Sequence, residues 1–273
     1  MARKRGTFPQ IVGLVLTKPS GDVLSSTQNL AKPVLPPLKI SEHWMGTLMS
    51  WAKEPPRMPI LKLGRGFRDL RGYCITENAM YVFDAIAALT IAMEHYLEGE
   101  PAGLSLGALS KARTAVQYRL LSLQNSKELD GATLLEPDIY EACRLIVIIY
   151  GIAVVFPIPN SYKALQQLVQ LLQDSITTCG VDKLGKLQPN LLLWMLMLGA
   201  IAAFEKPERL WYVTQLAGWA NKWEIQNWEE IEERLLLFLW LESACGSGGR
   251  RVWTEVTIWR ARNEKLSSLL EQL

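Results

Sequence analysis

Residues 191–256 read LLLWMLMLGAIAAFEKPERLWYVTQLAGWANKWEIQNWEEIEERLLLFLWLESACGSGGRRVWTEV. Seven of the ten tryptophans in the 273-residue chain fall in this stretch. An apolar run, a Pro-initiated segment, an acidic amphipathic segment and a glycine-rich break follow one another at intervals that suit four consecutive helices. So many large rings predict a thick helical core, and no pair of groups in the stretch has the spacing of a nucleophile, an acid–base pair or a metal site.

Start signals mark each of these four segments. Pro189 opens the first, which is expected to run through Phe204, and Pro207 opens the second. Asn227 and Glu230 have the spacing of a cap and its partner, and the fourth helix is expected to begin after residues 246–249. The predicted faces are Tyr212, Leu216, Trp219 and Trp223 in the second helix, Trp228, Ile231, Leu235 and Phe238 in the third, and a heptad-like seam of Val252, Val256, Trp259, Asn263, Leu266, Leu270 and Leu273 in the last.

The helical pattern extends back to residue 78. Helices are expected over residues 79–97, over 105–123, from a capping box at Thr133 and Glu136 to Val154, and from Ser161 to Cys179, where Gly180 ends the last of them. Residues 1–77 are rich in proline and predict an irregular segment with one short helix near 43–51. The predicted fold is therefore all-α: a multi-helix domain over 78–273, with orthogonal or antiparallel packing, after an irregular N-terminal segment.

Composition limits the class of function. Net charge is +2 at neutral pH, which is too small for a protein that neutralises many phosphates, so no DNA-binding residue is assigned and nucleic acid is not favoured as a direct partner. The four cysteines lie far apart, so no metal site or cofactor is predicted. Buried free thiols in a reducing compartment are the expectation, with a disulfide or a reactive thiol as the alternative.

Two apolar runs raise the question of a membrane, at residues 145–159 and 191–204. Both are shorter than the ~20 residues that a span needs, so they predict buried core helices and no membrane association. The apolar run at 11–16 is likewise too short for a signal peptide. A cytosolic or nuclear protein is expected, with the basic triplet at 3–5 as a candidate part of an import signal.

Candidate catalytic groups are isolated from one another. His43 and His95 have no partner at the spacing of a metal or catalytic motif, and no aspartate cluster exists. No catalytic residue is assigned, and whether the chain is an enzyme stays open, with the balance against it. The glycine- and arginine-rich residues 63–72 (LGRGFRDLRG) indicate a solvated turn, with an anion or partner site as the alternative.

The aromatic residues permit two interpretations. Rings at helical spacing usually form core, but a core rich in Trp, Tyr and Met can also surround a cavity for an apolar small molecule. The final seam either packs on its own domain or pairs with a protein partner or a second copy, and a purely structural scaffold would use it in the same way. The candidate wall residues of a ligand cavity are Trp194, Met195, Met197, Trp211, Tyr212 and Trp219.

The order of four motifs resembles the C-terminal part of the fungal-specific transcription factor domain, the regulatory region of zinc binuclear cluster regulators. The resemblance is specific over about residues 189–259 and looser over 78–179. The matching residues are Leu198 to Ala203, Arg209 to Val213, Trp228 to Ile231, Phe238 to Glu242, Cys245, and Gly249 to Val256.

This resemblance implies an all-α nuclear domain that receives a signal from a small molecule or a protein and passes it to another module. The six-cysteine zinc cluster of that family is absent from this sequence. The chain is therefore expected either to be an excised regulatory domain or to be a stand-alone, cytoplasmic relative that binds or transforms an apolar metabolite.

Overall fold

The computed structural model describes residues 25–26, 29–33, 63–97, 105–129, 134–156 and 161–270. Within these ranges the fold is all-α, as predicted, and the only β-type pairing is an isolated bridge between Arg71 and Ile75. The predicted helix near 43–51 lies outside the described residues. The helices are α1 (Arg65–Arg68), α2 (Glu77–Leu97), α3 (Leu106–Leu121), α4 (Pro137–Tyr150), a π-helical segment (Gly151–Val155), α5 (Tyr162–Cys179), α6 (Val181–Leu187), α7 (Pro189–Ala202), α8 (Arg209–Lys222), α9 (Trp228–Leu235) and α10 (Glu242–Leu270).

Helix α7 is the centre of the fold. Every residue from 191 to 202 is buried, and the helix contacts α4, α5, α6, α8, α9 and α10. A helix that is apolar on all sides has to be surrounded by protein, and burying each large apolar side chain contributes ~1.5–3 kcal/mol. Within the described ranges no helix has the length and apolar content needed to cross a bilayer.

Several predicted helix starts are confirmed by their caps. The Ser105 hydroxyl accepts a hydrogen bond from the backbone N–H of Ala108, and the Asn227 side chain accepts one from Glu230. Pro137 and Pro189 occupy the first turns of α4 and α7, where a missing N–H costs nothing. The cap residue of α4 is Glu136, not Thr133, which lies outside the described residues.

The predicted break at residues 246–249 is wrong, because α10 runs through it as one helix. These glycines allow close approach to neighbouring elements instead. A Cβ atom on Gly249 would lie 2.5 Å from Cη2 of Trp228, and one on Gly248 would lie 3.1 Å from Cγ2 of Ile201. The absence of side chains therefore lets α10 pack tightly against the ring of Trp228 and the end of α7.

The interpretation of residues 63–72 as a solvated turn is also wrong. Phe67 and Leu70 are fully buried, and the backbone N–H groups of Gly64 and Gly66 donate to the carbonyls of Phe238 and Leu237. The segment forms α1 and anchors the core, while its three arginines are exposed. Two further elements differ from the sequence prediction: the short helix α6 was not predicted, and the predicted continuation of α4 to Val154 is π-helical from Gly151 onward.

Candidate functional site

Trp194 lies in a closed aromatic cluster rather than on a cavity wall. Its ring stacks on Phe238 with centroids 5.3 Å apart and meets Phe67 edge-on at 5.4 Å, and Phe67 contacts Phe83 at 4.9 Å. The indole N–H donates to the carbonyl of Leu239 at 2.8 Å. The cluster joins α1, α2, α7 and the segment after α9, and it satisfies the one polar atom of the indole.

The other candidate wall residues have different surroundings. Met195 and Met197 are fully buried within α7. Tyr212 is also fully buried; its hydroxyl donates to the carbonyl of Val169 at 2.8 Å, and the partly buried Trp211 packs edge-on against it with centroids 4.9 Å apart. The structure therefore brings Trp211 and Tyr212 together but does not join all six candidates around one space.

Trp219 lines a small surface pocket together with Trp223. Its indole N–H donates to the carbonyl of Pro189 at 3.1 Å, and the two rings lie 6.3 Å apart. The pocket, which also borders α6, has a volume of about 160 Å³. Pockets that hold drug-sized ligands usually have volumes of ~300–1,000 Å³, so this one suits only a fragment of a molecule.

A larger groove lies between the start of α8 and the second half of α10, and we call it the C-terminal groove. Its volume is about 400 Å³. Leu210 is 66% exposed and Ile258 is 48% exposed on its edges, although both are large apolar residues. The residues that line the groove are Lys206, Pro207, Arg209, Leu210, Val213, Glu255, Ile258, Trp259 and Arg262.

An arginine fixes the floor of this groove. Arg209 forms a two-point ion pair with Glu255 of α10, with both N–O distances at 2.9 Å, and also donates to the carbonyl of Ala200 near the end of α7. Lys206 is buried, donates to the carbonyl of Ala202 at 2.7 Å, and has its pKa lowered by that burial. Both cations donate hydrogen bonds to carbonyls at the C-terminal end of α7. Because these bonds lie within the domain, the groove is a preformed feature of the fold.

The heptad-like seam of α10 divides into two parts. Val252 and Val256 are fully buried against the protein's own core, and Trp259 is partly buried against it. Leu266 is 56% exposed, and Arg262 beside it is also exposed. The first half of the seam thus packs on its own domain, whereas Leu266 in the second half is exposed.

Sequence reasoning missed Leu210 and Ile258. A signal for both residues was present, because each is apolar yet lies off the buried stripe of its helix. A single exposed apolar residue is common on protein surfaces, but two on the facing edges of one groove are typical of a contact outside the domain.

A third pocket, of about 470 Å³, lies where α2, α4 and the segment after α3 meet. Its ionisable groups already have local partners. Hydrogen bonds from Arg71 and Lys32 lower the pKa of Glu77 and of Glu128, and the Tyr140 hydroxyl donates to the carbonyl of Gln124 at 2.7 Å. Burial raises the pKa of Tyr140 to about 12, so near neutral pH the pocket holds two ionised carboxylates and a neutral phenol.

The four cysteines are buried and free, as expected. Burial raises the pKa of the Cys74 and Cys245 thiols to about 12, so these sulfurs are protonated near neutral pH. Within the part of the chain that the structure describes, no group of three His, Cys, Asp or Glu residues has the arrangement of a metal site.

Comparison of the chain with protein-family models, with curated proteins and with solved structures found no match, so the functional inference rests on the chain's own sequence and geometry.

Proposed function

We propose that this chain is a regulatory helical domain that acts by binding a partner protein in the C-terminal groove. The observation that carries this proposal is the pair Leu210 and Ile258, which expose large apolar side chains on the two edges of a preformed groove. Exposed apolar residues around a concave surface are typical of protein-interaction sites.

The charge of the groove favours one class of partner. Arg209 and Glu255 compensate each other, and of the two remaining charged side chains of the groove Lys206 is buried whereas Arg262 is an exposed cation. Arg251, one turn before Glu255, is exposed as well; it lies over the ring of Phe204, and its Nε atom is 3.9 Å from a carboxylate oxygen of Glu255, which therefore faces two arginines. We therefore propose an amphipathic partner helix whose apolar face enters the groove and whose flanks carry acidic residues.

A second copy of the chain is a less favourable occupant. Symmetric pairing through the same groove would bring Arg262 and Arg251 of one copy near the same cations of the other. The exposed Leu266 of the α10 seam would supply an apolar contact in such a dimer, but the like charges oppose it.

The motif order that resembles the fungal-specific transcription factor domain supports a regulatory role for the domain. On this proposal the protein acts in the nucleus, and another module supplies contact with DNA. The alternative role, binding or transforming an apolar small molecule, has less support. Of the six candidate wall residues, only Trp219 borders one of the three pockets described above, and that pocket is the smallest.

Binding of synthetic peptides tests the proposed partner class. The probe is a labelled amphipathic peptide of about five helical turns with leucines at positions i, i+3, i+4 and i+7 and glutamates on its flanks. A second peptide carries lysines in place of the glutamates, and a third is a scrambled version of the first. Fluorescence anisotropy should show saturable binding of the acidic peptide and at least tenfold weaker binding of the other two.

Two variants place the binding site. Ile258→Glu should abolish binding of the acidic peptide, because it puts a carboxylate on the apolar edge of the groove. Leu171→Glu is the matched control, since Leu171 is similarly exposed (49%) but lies on α5. Equal loss of binding in both variants, or no saturable binding by the original chain, would contradict the proposal.

The oligomeric state separates the two occupants. Light scattering after size-exclusion chromatography is expected to give a monomer over a wide concentration range. A dimer that Ile258→Glu converts to a monomer would identify a second copy as the occupant and overturn the proposal of an acidic partner.

A further inference from the structure

Helix α3 buries a polar stripe as well as an apolar one. The apolar stripe is the predicted one, with Leu109, Val116 and Leu120 each at most 1% exposed. On the other face, residues at positions i, i+3, i+4 and i+7 are polar and buried. These residues are Ser110, Arg113, Thr114 and Gln117, with exposures of 3%, 8%, 8% and 2%.

Arg113 carries the only formal charge in this stripe. Its Nε atom is fully buried and has no hydrogen-bond acceptor. The guanidinium lies over the ring of Phe156, with Cζ 4.6 Å from the ring centroid. No carboxylate among the described residues pairs with it, and burial alone lowers its pKa to about 10. Arg113 therefore remains a cation near neutral pH, and the ring of Phe156 is its one compensating contact among the residues that the structure describes.

Such an arrangement is unfavourable for a protein that uses it only for packing. Burying a charged group without an ionic or hydrogen-bonded partner is unfavourable, whereas an apolar side chain of similar size would fill the same volume without that cost. The cation–π contact with Phe156 recovers part of this cost. The remaining cost is offset when an anion completes the hydrogen bonds of the guanidinium, which matches carboxylate and phosphate groups with two parallel N–H donors.

The backbone that leads to Phe156 departs from α-helical geometry. After Tyr150 the chain continues as the π-helical segment Gly151–Val155, which ends beside Phe156. A Cβ atom on Gly151 would lie 2.8 Å from Cδ2 of Leu120 and 3.1 Å from Oε1 of Gln117, so a larger residue here would require the ends of these two side chains to shift. Single π-helical turns within α-helices frequently mark functional sites.

We propose that Arg113 anchors a binding site for a small oxyanion, a carboxylate or phosphate group of a ligand, between α3 and the end of the π-helical segment. The guanidinium supplies the charge and the paired donors, and Phe156 holds its plane. This site does not border the C-terminal groove, and it stands or fails independently of the proposed partner binding.

Thermal unfolding in the presence of simple anions tests the site. Inorganic phosphate or acetate, each titrated at constant ionic strength against chloride, should raise the Tm of the protein along a saturating curve. Two probes are needed because the ligand group is either a phosphate or a carboxylate, and the probe with the lower half-saturation concentration identifies which.

Two variants identify the residue. Arg113→Met keeps the approximate length of the side chain and removes the charge; it should leave the Tm without anion equal to or above that of the original protein, and it should lose the anion-dependent rise. Arg119→Met is the matched control, because Arg119 lies on the same helix with its guanidinium over the ring of Tyr81 but is partly exposed. It should retain the full rise.

A further variant keeps the test informative if Arg113→Met does not fold. Arg113→Lys preserves the charge but not the paired donors, and it should weaken half-saturation by at least tenfold. No saturable rise with either anion, or an undiminished rise in both Arg113 variants, would overturn the proposal.

Discussion

Replacement of Gly199 by alanine would place a methyl group against the ring of Tyr212. The added Cβ atom would lie 2.3 Å from Cε1 and 2.8 Å from Cδ1 of that ring. Carbon atoms pack at ~3.5–4.0 Å, so α7 and α8 would have to separate or the ring would have to move by roughly 1 Å or more. The ring has little freedom, because it is fully buried and its hydroxyl is bonded to the carbonyl of Val169.

The expected change in stability follows from three contributions. Overpacking of a well-packed core costs ~1–3 kcal/mol. Loss or distortion of the Tyr212 hydrogen bond costs ~0.5–1.5 kcal/mol. Alanine is a better helix former than glycine by ~1 kcal/mol and offsets part of this. Gly199→Ala should therefore lower the free energy of unfolding by about 1–3 kcal/mol.

Gly218→Ala is the matched control for this substitution. Gly218 lies in the interior of α8, is exposed, and has no atom within 4 Å of the added Cβ position. The same chemical change should here raise the free energy of unfolding by ~0.5–1 kcal/mol. Urea unfolding followed by tryptophan fluorescence and circular dichroism measures both variants. If Gly199→Ala is as stable as the original protein while Gly218→Ala gains stability, the close approach of α7 and α8 is refuted.

Three further predictions concern charge and ionisation. Burial raises the pKa of the Cys245 thiol from its ordinary 9.0 to about 12, so the stability that the neutral thiol provides is complete below pH 9.0 and is lost as the pH rises from 9.0 to about 12. Urea midpoints should therefore fall above pH 9.0. In Cys245→Ala the decrease in the free energy of unfolding with pH should be shallower by ~1.4 kcal/mol per pH unit. Burial also raises the pKa of Asp84 above its ordinary 3.8, so Asp84→Asn should stabilise the protein near neutral pH but not below pH 3.8, as acid and neutral unfolding curves would show. A double-mutant cycle of Arg209→Met and Glu255→Gln should give a coupling of ~1–2 kcal/mol that persists in ~1 M salt, because the pair is partly buried; a coupling near zero would contradict the role of Arg209 in the groove.

Much of the fold could be predicted from local signals. Pro189 at the start of α7 and Asn227 at the start of α9 act through groups within a few residues, so the sequence contains the whole interaction. The apolar run of residues 191–202 also determines its own position in the fold, since a helix without a polar face has to be surrounded by other helices. These predictions needed no knowledge of distant partners.

The errors share a different physical cause. Gly249 and Gly66 look like helix breakers in the sequence, but their role is to accept the rings of Trp240 and Phe238, which lie elsewhere in the chain. The sequence alone does not distinguish a glycine that permits close approach from one that ends a helix, because the difference depends on the tertiary neighbour.

The candidate site was only partly predictable for the same reason. The heptad-like seam led to α10, and its buried half confirms that Val252 and Val256 face the core. The groove itself depends on how α8 lies beside α10, which periodicity does not encode. Arg113 gave no signal at all, because arginine in a helix is usually solvated. The ring of Phe156, which lies over its guanidinium, comes from a distant part of the chain that follows the π-helical segment.

The central position of α7 has a consequence for biosynthesis. Three of its neighbours, α8, α9 and α10, leave the ribosome after it does, so a nascent chain that ends shortly beyond Ala202 carries a fully apolar helix with half of its enclosure still missing. Nascent chains of this kind aggregate readily unless chaperones hold them. We therefore expect α7 to be fully enclosed only after α10 has been synthesised, and C-terminal truncations that remove α10 to be recovered as insoluble material.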